Sequence, residues 1–188
     1  MVKLREDHQK HMKERMEKGK EEGKYHLGEG NRAAVRALAR SKDGLFLSQR
    51  KFALELLDDC GYLACKPANC PMDPHLKLSK DRGKPLLDPL SYRRLIGRLQ
   101  YLTTTQPDLS FVTQQLSQFM CNPLDTHLAA AHRVLRYIKS SPGAGLFFFS
   151  ADSDLQLRSF SDSDWAGCLD TRRSVTGFAI FLGSSLIS

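Results

Sequence analysis

Apolar residues follow a helical rhythm through the middle of this chain and a strand-like one near its end, and they are sparse at its start. Residues 1–24 are nearly all charged or polar. Met12 and Met16 sit four apart, with Lys13–Glu17 and Glu17–Glu21 pairs around them, a pattern that suits a solvated helix or plain disorder. Gly19, Gly23, Gly28 and Gly30 weaken any continuation. No core-forming pattern precedes about Ala33, so residues 1–36 read as an appended tail.

Beyond it, Gly44-Leu45-Phe46-Leu47 predicts a short strand. Ser48 can cap a helix from Gln49 to about Cys60, with Ala53, Leu56, Leu57 and Cys60 on one stripe and Gly61 as its stop. Residues 62–90 hold most of the chain's prolines and read as one long irregular loop, unusual unless it is functional or wraps another domain. Three helices follow. Ser91 caps the first, with Tyr92, Leu95, Ile96, Leu99 and Leu102 on one face. Asp108 starts the second, with Leu109, Val112, Leu116, Phe119 and Met120 inward, and Pro123 ends it. Asp125 or Thr126 caps the third, with Leu128, Ala131, Leu135 and Ile138 inward and His132, Arg133, Arg136 and Lys139 outward. Ser140-Ser141-Pro142-Gly143 stops it. The remainder is β-like, with strands expected at 145–149, 155–162, 175–182 and 186–188. Ending inside an apolar strand suggests truncation, and the aligned edge of Phe178, Ile180, Phe181, Leu186 and Ile187 would then be open.

Composition sharpens this pattern. No apolar run approaches the ~18–20 residues of a membrane span, and the charged start lacks the apolar stretch of a signal peptide, so an intracellular protein with no membrane partner is expected, cytoplasmic or nuclear. The net charge of +7 is uneven: residues 25–100 carry 14 basic and 8 acidic side chains, residues 101–188 carry 6 and 7. A basic middle segment is either the footprint of a nucleic-acid binder or a solvated basic surface. Five cysteines, an odd number without a signal peptide, argue against a disulfide framework. Cys60, Cys65, Cys70 and His75 fall at intervals of five, without the short Cys-x2–4-Cys hook of most zinc sites, so reduced thiols are expected.

Four stretches together resemble Copia-type retrotransposon Pol polyproteins. They are Gly44-Leu-Phe-Leu-Ser-Gln-Arg-Lys-Phe-Ala-Leu-Glu-Leu-Leu57; Pro71-Met-Asp-Pro74; Tyr92-Arg-Arg-Leu-Ile-Gly-Arg-Leu-Gln-Tyr-Leu102 with Thr105-Gln-Pro-Asp-Leu109; and Ser161-Asp-Ser-Asp-Trp-Ala-Gly-Cys168 with Thr171-Arg-Arg-Ser-Val-Thr-Gly177. The resemblance covers about 37–188. It implies an α+β chain in which 37–149 is a three-helix segment like the thumb and connection of a reverse transcriptase, and 150–188 is the start of a ribonuclease H-like sheet, its first three strands.

The departures from the family decide the activity expected. The family's polymerase palm carries a Tyr-x-Asp-Asp turn that holds magnesium, and this chain has none. Its one adjacent acid pair, Asp58-Asp59, reads as a solvated helix end. Asp162 aligns with the first catalytic aspartate of the family's ribonuclease H, where Mg²⁺ ions are held by several hard oxygen ligands. No Glu follows position 150, and the other acids there are Asp152, Asp154, Asp164 and Asp170. Strand parity places Phe160 with Asp162 on one face and Asp164 past the strand end. Asp162 is therefore a vestigial ligand or an exposed acid, stable Mg²⁺ binding is not expected, and the palm and the rest of the nuclease would be missing partners. The competing reading is a non-catalytic nucleic-acid-binding module, meeting an RNA–DNA hybrid or other nucleic acid through Lys51, Arg93, Arg94, Arg98, Arg133, Arg136 and Lys139. Arg172 and Arg173 would touch phosphates or lie in a solvated loop. The single tryptophan, Trp165, is expected in the core, with base stacking as its other role.

Overall fold

The computed structural model describes residues 26–27, 37–73, 75–150 and 155–188. The tail expected over 1–36, apart from 26–27, lies outside the described residues, as do Asp152 and Asp154. The chain divides into two compact units. One runs from Gln49 to Ala144 and adds Asp164–Val175; the other holds the residues before it, Gly145–Ser163 and Thr176–Ser188. Among the described residues there are four α-helices and two small sheets, an α+β chain as expected.

The helical unit begins with α1 (Arg50–Asp59). Its Ala53, Leu56 and Leu57 are buried, as their spacing requires. The residue at the N-cap is Gln49, which makes no side-chain cap bond; Ser48, expected there, is buried at the end of a strand instead. Gly61 ends α1 with φ +72°, its N–H bonded to the Asp58 carbonyl and the Tyr62 N–H to Leu57, a pair of bonds that needs a left-handed residue. α2 (Pro89–Leu102) is capped by Asp88 rather than Ser91: the Asp88 carboxylate accepts from Leu90 N at 3.0 Å and Ser91 N at 3.3 Å. Pro89 fits the first helical position because its missing N–H would have had no partner there. The next predicted helix is two pieces, a 3₁₀ turn at Pro107–Leu109 and α3 (Ser110–Ser117), which stops well before Pro123. α4 (Asp125–Ser140) follows, with Leu124 in the cap position. Neither Asp125 nor Thr126 caps it. The neighbouring ring of His127 accepts the Leu124 N–H instead.

These helices bury one core: Ala53, Leu56 and Leu57 from α1, Tyr92, Leu95, Ile96, Leu99 and Leu102 from α2, Leu109, Val112 and Leu116, and Ala130, Ala131, Val134, Leu135 and Ile138 from α4. Residues 62–88 form no helix or strand longer than a bridge, and they are pinned along α4 as a strap. Ala68 N–H donates to the Arg136 carbonyl, Leu86 N–H to Pro123, and Asp125 N–H to Lys84, while Met72, Leu78 and Leu86 pack on the core. Prolines remove donors from this stretch, so it docks through scattered bonds instead of a ladder.

In the other unit, β1 (His26–Leu27), β2 (Ala37–Ser41), β3 (Gly44–Ser48) and β4 (Gly145–Phe149) form an antiparallel sheet in that order. β2 was not anticipated. It meets β3 through a two-residue turn, Lys42-Asp43, with Ser41 opposite Gly44. β4, expected among the C-terminal strands, pairs with β3, from Gly44 opposite Phe149 to Ser48 opposite Gly145. Gly44 has φ +147°, and a Cβ there would run into the Phe148 carbonyl. The second sheet has the order β5 (Leu157–Asp164), β6 (Val175–Leu182), β7 (Ser185–Leu186). β5 runs on to Asp164, which was expected past its end, and the last strand is displaced from the expected 186–188.

Candidate functional site

Five of the seven helical cations expected to form a nucleic-acid surface have specific partners inside the unit. Arg93 on α2 donates from Nε to the Met120 carbonyl at 2.7 Å and from Nη2 to Cys121 at 3.1 Å, satisfying carbonyls just beyond α3. Arg98 bonds Asp59 at 2.7 Å, and its guanidinium lies 5.5 Å from the Phe52 ring centroid. Arg133 donates to Cys70 Sγ at 3.0 Å, and Arg136 to the Lys66 carbonyl at 2.9 Å, so both hold the strap on α4. Lys51 pairs with Glu55 at 3.8 Å along α1. Arg94 is exposed and Lys139 half-buried. The cysteines are free thiols, and burial pushes the Cys60 thiol up.

Exposed cations gather on the strap, at positions not singled out by the sequence reading. Lys77, Lys80, Arg82 and Lys84 are all exposed and make no ion pair among the described residues; Asp81 is the one acid between them. The signal in the sequence is the density of basic residues over 77–84, which has no helical periodicity. Four hydrogen bonds anchor this stretch. Ser79, buried, donates its hydroxyl to Asp170 Oδ1 at 2.9 Å. Lys80 N–H donates to Asp170 Oδ2 at 2.9 Å, the main reason that the Asp170 carboxyl lies below its ordinary range. Thr126 Oγ1 donates to the Arg82 carbonyl at 2.7 Å, and Lys84 N–H to Asp125 Oδ1 at 2.9 Å.

His127 ties these anchors to the core. It is fully buried and stacks on Phe119 with ring centroids 3.8 Å apart. Nδ1 accepts the Leu124 N–H at 3.1 Å, which leaves Nε2 to donate to the Ser79 carbonyl at 3.1 Å. That is the neutral ring with its proton on Nε2. Burial pulls its pKa below the ordinary histidine value, against the opposing pull of the Ser79 carbonyl, Asp170 and Asp125.

The loop 164–175 is folded on itself. The Asp164 carboxylate accepts the Val175 N–H, Ser174 Oγ accepts from Ala166 N–H at 2.9 Å, and Arg172 N–H reaches the Cys168 carbonyl at 2.9 Å. Ala166 and Arg172 adopt φ of 51° and 55°, unusual for residues with a Cβ. Trp165, expected in the core, is 92% exposed. Arg172 and Arg173 are exposed too.

Asp162 lies on β5, exposed, with Oδ1 accepting the adjacent Ser163 N–H at 3.0 Å. Among the described residues no three His, Cys, Asp or Glu side chains are grouped to hold a metal ion. No described helix is long and apolar enough to cross a membrane.

Fold and site together define an α+β chain with a four-helix unit, a basic strap, and no grouped metal ligands among the described residues. The chain is 43% identical over 149 residues to the retrovirus-related Pol polyprotein from transposon RE1 of Arabidopsis thaliana, which is 79% of this chain and 10% of that protein. It is 44% identical over 145 residues to an uncharacterized mitochondrial protein of the same plant, 77% of this chain and 60% of the relative. It is 32% identical over 156 residues to the Pol polyprotein from transposon TNT 1-94 of Nicotiana tabacum, covering 79% of this chain and 12% of that one. This chain belongs to the retrovirus-related Pol polyproteins of Copia-type transposons. It spans about a tenth of the length of the Arabidopsis Pol relative. No family model matches it, and no solved structure matches it.

Proposed function

We propose that this chain corresponds to the stretch of a Copia-type Pol polyprotein where reverse transcriptase gives way to ribonuclease H, and that it is a folded, non-catalytic segment. In this reading the helical unit is the thumb- and connection-like part, and the strands around Asp162 are ribonuclease H-like. Family membership and the ordered motifs from Gly44 to Gly177 support the placement. The observation that carries the lack of catalysis is the state of the acids. Asp162 is exposed beside its own Ser163 N–H, while Asp164 and Asp170 are occupied by backbone N–H groups of Val175 and Lys80. Phosphodiester hydrolysis through paired Mg²⁺ ions needs several carboxylates converging on metal.

The test is a magnesium-dependent cleavage assay on an RNA–DNA hybrid with purified chain and Asp162→Asn. The expected outcome is no cleavage above buffer by either. Cleavage that disappears in Asp162→Asn overturns the reading.

A further inference from the structure

We propose that two copies of this chain associate through the outer edge of β5, antiparallel about Phe160, with Arg158 of each copy facing Asp162 of the other. The proposal assigns an interface between copies and does not depend on the reading above.

Three observations carry it. The first is a free edge: β5 is the end strand in the order β5-β6-β7, and its residues from Leu157 to Ser163 are exposed. The second is the direction of its backbone groups. Gly183 N–H donates to the Gln156 carbonyl at 2.8 Å, and Thr176 Oγ1 reaches Ser163 Oγ at 3.4 Å. Gln156 to Ser163 and Gly183 to Thr176 are equal lengths of chain, so no extra residue interrupts the alternation between these contacts. Arg158, Phe160 and Asp162 therefore turn their backbone groups toward β6, and Leu157, Ser159, Ser161 and Ser163 turn theirs outward. The outward Ser163 N–H has no strand partner among the described residues and is taken up by Asp162 Oδ1 at 3.0 Å.

The third observation is that β5 carries its own complement. Arg158, Phe160 and Asp162 share one face by strand parity. Neither Arg158 nor Asp162 makes an ion pair among the described residues, and Phe160 is 42% exposed. Arg158 Nη2 donates to the Gly183 carbonyl at 2.7 Å, which holds the guanidinium at the strand and leaves the rest of its N–H fork to donate. A two-fold axis through Phe160 sets Arg158 opposite Asp162 twice, and pairs the outward backbone groups of Leu157 with Ser163 and of Ser159 with Ser161. The two Phe160 rings then meet at a non-hydrogen-bonded pair, where side chains of neighbouring strands come closest. The Ser163 N–H passes to the Leu157 carbonyl of the second copy, and Asp162 turns to the guanidinium.

Other registers lose both ion pairs. An axis at Ser161 sets Phe160 against Asp162 and leaves Arg158 opposite Asp164, whose carboxylate already holds the Val175 N–H. An axis at Asp162 brings two carboxylates face to face. Charges on an edge ordinarily prevent pairing with foreign strands; the sequence that answers these charges is β5 itself, read backwards. One edge is used per copy, so the assembly closes at two. A single short ladder is smaller than the ~1,600 Å² of a standard interface, so association is weak and the edge is open in dilute solution.

Sedimentation velocity on the full chain, from dilute to the highest soluble concentration, tests this. The expected result is a reversible monomer–dimer equilibrium that weakens as salt is raised. Arg158→Glu or Asp162→Arg alone should weaken it about ten-fold or more, because each turns two attractive pairs into repulsive ones. An equimolar mixture of the two variants should dimerise like the parent, since each supplies the charge that the other lacks, and that recovery also shows both to be folded. A chain that stays monomeric throughout overturns the proposal. So does a parent dimer indifferent to salt, a single variant that associates like the parent, a mixture no tighter than its components, or an assembly that grows past two copies. Hybrid cleavage is a separate readout, so either result can fail alone.

Discussion

At the scale of single residues, His127 is the most consequential side chain in the helical unit. Its neutral form makes two bonds to backbone groups, and protonating Nδ1 would set one N–H against another. An unfolded histidine titrates near its ordinary value of 6.5, and the folded one lower. Between the two, the unfolded chain binds more protons, so this contribution is full above about pH 6.5 and is lost as pH falls toward the folded value, with a slope of at most ~1.4 kcal/mol per pH unit. His132, lowered by burial, adds to the same limb, and its ring lies 5.2 Å from that of Tyr62. Urea denaturation at pH 5 and pH 7.5 should show lower stability at pH 5, and His127→Gln should reduce that difference; equal stability of the parent at both values would contradict the account. Tyr92 is the second case. Its buried hydroxyl donates to the Leu116 carbonyl at 2.8 Å, and burial pushes its pKa well above the ordinary phenol. Tyr92→Phe leaves that carbonyl unpaired and is expected to cost roughly 1 kcal/mol in the same denaturation assay. None of the polar roles of His127, Asp170 or Tyr92 is visible in apolar spacing, because each has a partner 24 or more residues away.

Among elements, helices were legible where one face alone decides their position. The stripes Ala53-Leu56-Leu57 and Tyr92-Leu95-Ile96-Leu99-Leu102 are buried as their spacing predicts. Caps were less legible. Ser91 and Thr126 look like caps locally, yet a carboxylate one turn upstream captures the first, and a backbone carbonyl of the strap the second. β2 has little signal of its own because Ala37-Leu-Ala-Arg-Ser41 is short and weakly apolar; only the Lys42-Asp43 turn and the Gly44 that follows it mark the hairpin. The strap's place on α4 had no periodic signal at all. It depends on Arg133, Arg136, His127 and Asp125 being in register with it. Gly83 is part of that register: its φ is +136°, and a Cβ would press on the Asp125 carboxylate. Gly83→Ala should loosen residues 79–86, seen as faster proteolysis within the strap while the helix content stays at the parent level. A strap as resistant as the parent's would show that the Asp125 contact is dispensable.

Across the whole molecule, protection should follow burial. Leu56, Leu99, Leu116 and Leu135 are fully buried in one cluster, and truncating Leu99 to Ala should cost roughly 3 kcal/mol. The second sheet has no comparable interior: Leu157, Phe160, Phe178 and Ile187 are 68%, 42%, 65% and 50% exposed. Hydrogen exchange is expected to be slow in α2 and α4 and fast in β5 and β6; equal rates would contradict this. The candidate site was legible to a similar degree. Asp162, Arg172 and Arg173 stand out in sequence through a motif, but Trp165 was expected inside, because a lone tryptophan usually is. The strap lysines have no such signal, because exposure is a tertiary property.

Ser48 faces Gly145 across one antiparallel ladder, and everything from Gln49 to Ala144 lies between them. Neighbouring strands are only ~5 Å apart, so the two ends of this excursion emerge side by side, like the stems of a keyring. A tight turn could span the gap between those two ends, although Asp164–Val175, which belongs to the same compact unit, would lose its bonds from Asp170 to Ser79 and Lys80. The same geometry favours an order of events: closing the ladder first means bridging a long loop, so residues 49–144 are expected to condense before the strands at their ends pair.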